Sequence, residues 1–117
     1  MPRRDVSVLL RHMRDHAREA LTMAQGRTRS DLDSNRMLNL SLVRLLEVVG
    51  EAANRVSPEE RARYPQIPWV ELVGLRNRLI HGYDQVDFDI LWQIVTQDLR
   101  PLADALEEIL SSQKAAD

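Results

Sequence analysis

Cysteine is absent from this chain of 117 residues, which excludes disulfide bonds and thiol catalysis. Aromatic residues make up only 4% of the chain, so a core must be built mainly from Leu, Val, Ile, Ala and Met. No apolar run approaches the roughly 18 residues that a membrane span requires. Amphipathic sequence, rather than the apolar core of a signal peptide, follows Arg3 and Arg4. We therefore expect a cytoplasmic protein that neither crosses a membrane nor is secreted.

Lysine is also scarce, because Lys114 is the single lysine among 16 basic residues. Arginine suits bidentate contacts with phosphate and carboxylate groups. The net charge is only −2, which gives no indication of nucleic-acid binding, but the charge is unevenly distributed. Residues 1–83 carry 14 basic and 10 acidic side chains, whereas residues 84–117 carry 2 basic and 8 acidic ones. The acidic C-terminal third suits a basic partner.

Apolar residues recur at three- and four-residue steps along most of the chain, and no segment alternates as a strand would. This period predicts four long helices, which cover residues 5–25, 31–56, 68–83 and 87 to beyond 110. The capping box Ser57-Pro58-Glu59-Glu60 predicts a short extra helix that ends before Tyr64. We therefore expect a single domain over residues 1–117, folded as an all-α, antiparallel up-and-down four-helix bundle.

Local signals refine the ends of these helices. Asp5 can cap the start of the first helix, and Pro68 is suited to the first position of the third. Pro101 lacks a backbone N–H, so it predicts a kink in the fourth helix near residues 97–98. The small polar residues from 111 onward predict a frayed tail.

The second helix carries two apolar sides. One side is a seam with alternating steps of four and three, formed by Leu38, Leu42, Leu45, Val49, Ala52 and Val56. The other is a shorter line through Val43, Leu46 and Gly50. Two apolar sides on one helix predict burial against the rest of the chain and against a second subunit.

A polar line of Arg44, Glu47, Glu51 and Arg55 runs between these sides. The four residues can form ordinary surface ion pairs of little energetic weight. Alternatively, Glu47 or Glu51 orients Arg76 from an opposing helix. On the first helix, His12 and His16 lie one turn apart, as two metal ligands could, but the sequence places no third ligand. We therefore interpret them as part of a solvated face and expect no metal site.

The segment RNRLIHGY, residues 76–83, combines a fixed cation, a titratable imidazole and a phenol. Within the predicted third helix, Arg76 falls on nearly the packed side, where an arginine must be paired or must line a cleft. Asn77 and His81 are four residues apart and would share a helix face. Gly82 can end the helix and let Tyr83 turn toward the same opening.

These residue types support metal-independent cleavage of RNA. His81 could accept the proton of a 2′-hydroxyl as general base, while Arg76 stabilises the charge that develops on phosphorus. One histidine leaves the acid for the leaving group unassigned, and a second copy of the motif across a two-fold axis would supply it. The spacing alone favours a purely structural interpretation, in which Arg76 bridges to a glutamate and Tyr83 is a rim aromatic.

Two longer stretches carry a resemblance to a known family. The segments RLLEVVGEAANRVSPEERARYPQIPW and VGLRNRLIHGYDQVDFDILWQIV resemble the HepT-type toxins of the HEPN superfamily, and the likeness extends from Arg44 to Leu102. The family hallmark is an arginine followed after four to six residues by a histidine, extended here to His-x-Tyr. Arg76, His81 and Tyr83 match it without a gap.

The resemblance implies a dimeric, metal-independent endoribonuclease without a cofactor, with a composite site at the dimer cleft. It implies Arg76 and His81 as catalytic residues, and supporting residues are expected at Asn77, Glu47, Glu51 and Arg78. Such proteins are toxins of toxin–antitoxin pairs that act on cellular RNA, with tRNA a leading substrate class. Their antitoxin, an MntA-type nucleotidyltransferase, adenylylates the motif tyrosine, here Tyr83. Two alternatives stay open: a non-catalytic module that binds RNA or a nucleotide, and a structural subunit of a nucleotidyltransferase complex.

Overall fold

A computed structural model describes the backbone of residues 3–116 and the side chains of residues 6–113. The helices are α1 (Arg3–Ala24), α2 (Asp31–Ser34), α3 (Arg36–Arg55), α4 (Pro58–Ala62), α5 (Trp69–Val73), α6 (Leu75–Leu79), α7 (Phe88–Gln93) and α8 (Leu99–Ala116). Two short strands, β1 (Ile80–His81) and β2 (Gln85–Val86), form an antiparallel hairpin, and a π-helical segment (Ile94–Asp98) precedes α8. Within this described part, no helix is both long and apolar enough to cross a membrane.

The core lies where α1, α3 and α8 pack together. All six residues of the predicted α3 seam are buried, as are Val6, Leu10, Met13, Ala17 and Ala20 on α1. Val43 and Leu46, on the second apolar side of α3, are buried within the chain as well. The apolar surfaces of α1 and α3 therefore face each other and are removed from water. The predicted all-α bundle is confirmed.

The second predicted helix is wrong at one point, because it is interrupted at Asn35. This residue has extended backbone angles, and its side-chain oxygen accepts a hydrogen bond from the backbone N–H of Leu38 at 3.0 Å. The buried Asn39 donates to the carbonyl oxygen of Leu32 at 2.9 Å, which ties the two pieces together. The first helix begins at Arg3, so Asp5 lies inside it and is not its cap.

The third predicted helix differs most from the structure. It breaks at Gly74 and ends at Leu79, and Pro68 is the cap rather than the first residue of α5. In a longer helix the carbonyl oxygen of Leu79 would accept from residue 83, but here it accepts from the backbone N–H of Asp87 at 2.8 Å. Gly82, with φ of +73°, supplies the left-handed conformation that the hairpin turn requires. The chain therefore leaves the helix before His81.

The end of the chain contains one distortion and one extension. The π-helical turn lies where Pro101 was predicted to disturb the helix, since the proline ring removes a donor from the preceding turn. α8 then continues past residue 111, where the sequence predicts fraying. Gln113 donates to the Tyr64 hydroxyl at 2.6 Å and accepts from the Ser7 hydroxyl at 2.8 Å, which holds this last turn against the body of the protein.

An arginine in the loop after α1 secures the start of α7. Arg29 donates to Asp89 at 2.7 Å and to Asp33 at 3.2 Å, and its guanidinium lies over the Phe88 ring. The hydrogen bonds that Arg29 donates to Asp89 and Asp33 raise the pKa of Arg29 above its ordinary value. Since α7 is the element that follows the hairpin, this contact helps to position the segment that carries His81.

Candidate active site

Arg76 lies on the exposed side of α6, with 64% of its side chain accessible. Its Nε atom is 3.8 Å from an Oε2 atom of Glu47, which projects from α3 and is largely covered. The prediction that Arg76 falls on the packed side is wrong, because Val73, which lines the same groove, is exposed as well. The packed side of this segment carries Leu72, Leu75 and Leu79 instead. Of the two glutamates predicted as partners of Arg76, Glu47 is the one in contact. Glu51 instead pairs with Arg44, whose Nη1 atom is 3.5 Å from the Oε1 atom of Glu51.

A groove of about 190 Å³ runs between α3 and the α5–α6 segment beside this ion pair. Its lining residues are Glu47, Gly50, Glu51, Asn54, Val73 and Arg76. Its floor depends on a close approach of two backbones, since a Cβ atom on residue 50 would lie only 2.9 Å from the Leu72 carbonyl oxygen. Gly50 thus packs within the chain rather than against a second subunit, and it places Arg76 next to α3.

Gly50→Ala should destabilise the protein by about 1–2 kcal/mol. The added methyl group must displace the backbone of α5, and overpacking of this kind costs roughly 1–3 kcal/mol. The higher helix propensity of alanine offsets up to about 1 kcal/mol of that cost. Chemical denaturation measures the change in the free energy of unfolding. Gly74→Ala is the matched control, because its nearest neighbour would be an ordinary 3.4 Å away. Equal stability of the two variants would contradict the close contact.

His81 lies on β1 rather than on a helix, and its imidazole is exposed. Its Nε2 atom is 3.8 Å from an Oδ2 atom of Asp87, whose other oxygen caps α7 by accepting from Ile90 at 3.0 Å. The expectation that Asn77 and His81 share a helix face therefore fails. The sequence pattern indicates Asp87 only as a helix start. Its approach to His81 follows from the hairpin register, which pairs His81 with Gln85.

Tyr83 stands at the tip of the hairpin and is 96% exposed. Asn77 is exposed on α6. Arg78, by contrast, is half-buried on the other side of α6 and lines a separate cavity that borders the π-helical segment and α8. The structure thus places Arg76, Glu47 and Glu51 at the groove, and His81 and Tyr83 on the adjoining hairpin, with Arg78 apart from both.

The histidines of α1 are arranged differently from a metal site. The Nδ1 atom of His16 is 2.7 Å from the carbonyl oxygen of His12, so this ring is engaged with its own helix. Among the side chains that the structure describes, no three His, Cys, Asp or Glu residues are grouped so that they could hold a metal ion. The candidate site on α6 and β1 contains one guanidinium and one imidazole, each with a carboxylate neighbour.

The fold and these residues define a helical bundle with an Arg-x4-His segment exposed where a helix ends. The family described as “Ribonuclease HepT-like” matches residues 13–109. The chain is 33% identical over 107 residues to “Putative RNase MJ1380” of Methanocaldococcus jannaschii, covering 92% of this chain and 98% of that protein. It is 30% identical over 95 residues to “Probable ribonuclease HepT” of Thermococcus cleftensis, covering 78% and 86%. No solved structure gives a significant match. The chain belongs to the HepT-like family of the HEPN superfamily.

Proposed function

We propose that this protein is a metal-independent endoribonuclease and that Arg76 and His81 form its catalytic pair. The observation that carries the proposal is the exposure of both side chains within one short stretch of chain, with Arg76 on α6 and His81 at the end of β1. From the rise of a helix over residues 76–79 and of a strand over residues 79–81, their Cα atoms lie on the order of 11 Å apart along the chain. The long side chain of Arg76 can span this distance. Its guanidinium can therefore contact the phosphate next to the 2′-hydroxyl that the imidazole deprotonates.

Each catalytic side chain has a carboxylate neighbour that favours its role. Asp87, near His81, stabilises the imidazolium that forms when the ring accepts the 2′-hydroxyl proton. The resulting 2′-oxygen attacks phosphorus, the 5′-oxygen leaves and takes up a proton, and a 2′,3′-cyclic phosphate remains. Glu47 holds the Arg76 guanidinium beside the groove, where it can stabilise the charge on the phosphorane. Glu51, which lines the groove, and Asn77, which is exposed on α6, serve as supporting polar groups.

The assay for this function is incubation of the purified full chain with a pool of cellular tRNA in excess EDTA. We expect discrete fragments that end in 2′,3′-cyclic phosphate. A non-catalytic RNA- or nucleotide-binding module would retain RNA without cutting it, and a structural subunit of a nucleotidyltransferase complex would do neither. Growth arrest with RNA fragmentation after induction of this chain alone would support the role of a toxin.

We further propose that the active form is a homodimer in which each copy supplies the acid that the other lacks. The exposed face of α3 supports this: Met37 is 81% accessible, and Leu40 is also exposed one turn on. Steps of three and four place both on the same face as Arg44 and Glu47. An apolar patch beside the groove, flanked by charges of both signs, suits a two-fold contact between copies.

Met37→Asp combined with Leu40→Asp should convert the dimer to a monomer and remove RNA cleavage. Two carboxylates in an apolar contact would be desolvated and would repel their symmetry mates. Light scattering coupled to size exclusion measures the mass, and the tRNA assay measures cleavage. Thr22→Asp, on the exposed face of α1, is the control that should leave both unchanged. A fully active monomer would contradict the composite site.

The proposed partner is a nucleotidyltransferase antitoxin that adenylylates Tyr83. The accessibility of this phenol at a hairpin tip, two residues from His81, supports the assignment. An AMP group there adds bulk and negative charge where the RNA phosphate must lie.

Tyr83→Phe should abolish modification while leaving RNA cleavage close to that of the unmodified protein. Intact mass after incubation with the partner and ATP measures the adenylyl group, and the tRNA assay measures cleavage. Tyr64→Phe is the matched control, since the Tyr64 hydroxyl is engaged by Gln113. A mass increase that persists in Tyr83→Phe would place the modification on another residue and leave the nuclease proposal standing.

A further inference from the structure

A second cavity in the described part of the chain lies away from the Arg76 groove. It has a volume of about 410 Å³ and opens between the α5–α6 segment and the π-helical turn with the start of α8. Its walls are mainly apolar and include the buried residues Leu72, Leu75, Ile94 and Leu99. This volume is within the roughly 300–1,000 Å³ that ligand sites occupy.

The mouth of this cavity is acidic. Glu71 and Asp98 are exposed at its edge. Pro101 also lines the mouth, and from it Asp104 and Glu108 follow at steps of three and four along the exposed side of α8. None of these four carboxylates has a cation within salt-bridge distance among the side chains that the structure describes.

Two arginines offset part of this charge. Arg78 lines the cavity and is half-buried, and Arg100 is exposed on α8. Four carboxylates against two guanidinium groups leave the face negative. The same imbalance holds for residues 84–117 as a whole, which carry 8 acidic and 2 basic side chains. The face is therefore unsuited to RNA, whose phosphates it would repel.

We propose that this cavity and its acidic border are a docking site for a basic segment of a partner protein. One large apolar side chain of that segment fills the cavity, and flanking Lys or Arg side chains pair with Glu71, Asp98 and Asp104. The acidic border continues for about 10 Å along α8 from Pro101 to Glu108, which is longer than a small ligand needs and matches two turns of a partner helix. The inference does not rest on the ribonuclease proposal, because it uses none of the residues of the groove or the hairpin.

Fluorescence anisotropy with three labelled helical peptides tests the proposal on the full chain. The first peptide is basic and presents leucine on one face, the second is equally basic with alanine in place of leucine, and the third is acidic with the same leucines. We expect the first to bind, and the other two to bind at least about tenfold more weakly, because both the apolar anchor and the charge are required.

Two variants locate the binding. The first variant, Gln97→Trp, places an indole at the mouth of the cavity. The second, Glu71→Lys combined with Asp98→Lys, reverses the charge at the edge of the cavity. All three positions are exposed, so both variants should fold, which circular dichroism checks. Each variant should weaken the first peptide at least about tenfold. Glu19→Lys, a charge reversal at one exposed carboxylate of α1, should not. No binding of the first peptide, equal binding of the alanine peptide, stronger binding of the acidic peptide, or full binding by Gln97→Trp would each overturn the proposal.

Discussion

His81→Ala should lower the rate of tRNA cleavage by about 10²–10⁴-fold, the usual contribution of a general base. The imidazole is exposed at the end of β1, so its removal leaves no cavity and should not change the free energy of unfolding appreciably. The rate of fragment formation in EDTA is the measurement, with the wild-type protein run in parallel. RNA binding, followed by gel shift, should persist, because the arginine remains.

His12→Ala is the matched control for this experiment. His12 is also exposed, but it lies on α1 and belongs to neither the groove nor the hairpin. Its variant should cleave at the wild-type rate. Wild-type cleavage by His81→Ala, with an intact fold, would remove the general base from the account and favour a binding module without catalytic activity.

Arg76→Ala should lower the cleavage rate by about 10²–10³-fold, because a fixed donor directed at the developing phosphorane charge is lost. It should also leave Glu47 without its cationic neighbour beside the groove, which adds repulsion toward RNA. Arg76→Lys should recover only part of the rate, since an ammonium group cannot form the bidentate contacts of a guanidinium. Single-turnover kinetics at saturating protein separate this effect from weaker binding.

Arg78→Ala distinguishes the chemistry of Arg76 from a general effect of positive charge on α6. Arg78 is two residues away and carries the same charge, but it lines the separate cavity on the opposite side. Its loss should change cleavage only a few-fold. If Arg78→Ala and Arg76→Ala were equally impaired, the groove would have no special role.

Much of the scaffold could be predicted, because period and capping are local properties of a sequence. The α3 seam, the cap at Ser57 and the start of α7 at Asp87 depend on residues within one or two turns. The break at Asn35 was missed because the surrounding residues favour a helix. What divides it is a local cap, in which the Asn35 side chain accepts from the backbone N–H of Leu38, and the contact between Asn39 and Leu32 then holds the two pieces together.

The geometry of the site could not be predicted, because it depends on one non-local hydrogen bond. The run LRNRLI continues the helical period, but the chain leaves the helix after Leu79. The carbonyl oxygen of Leu79 accepts instead from the backbone N–H of Asp87, eight residues later. That bond moves His81 from a helix face to a hairpin and brings Asp87 within 3.8 Å of it. The pairing of Arg76 with Glu47 was one of the predicted alternatives, whereas the role of Asp87 was missed.

A double-mutant cycle on the cleavage rate tests most directly whether Arg76 and His81 act on the same phosphate. Groups that act as a unit are strongly non-additive, so the double variant Arg76→Ala with His81→Ala should cleave about as slowly as the slower single variant. A double variant whose loss equals the product of the two single losses would show that the guanidinium and the imidazole contribute independently. That result would contradict the shared site.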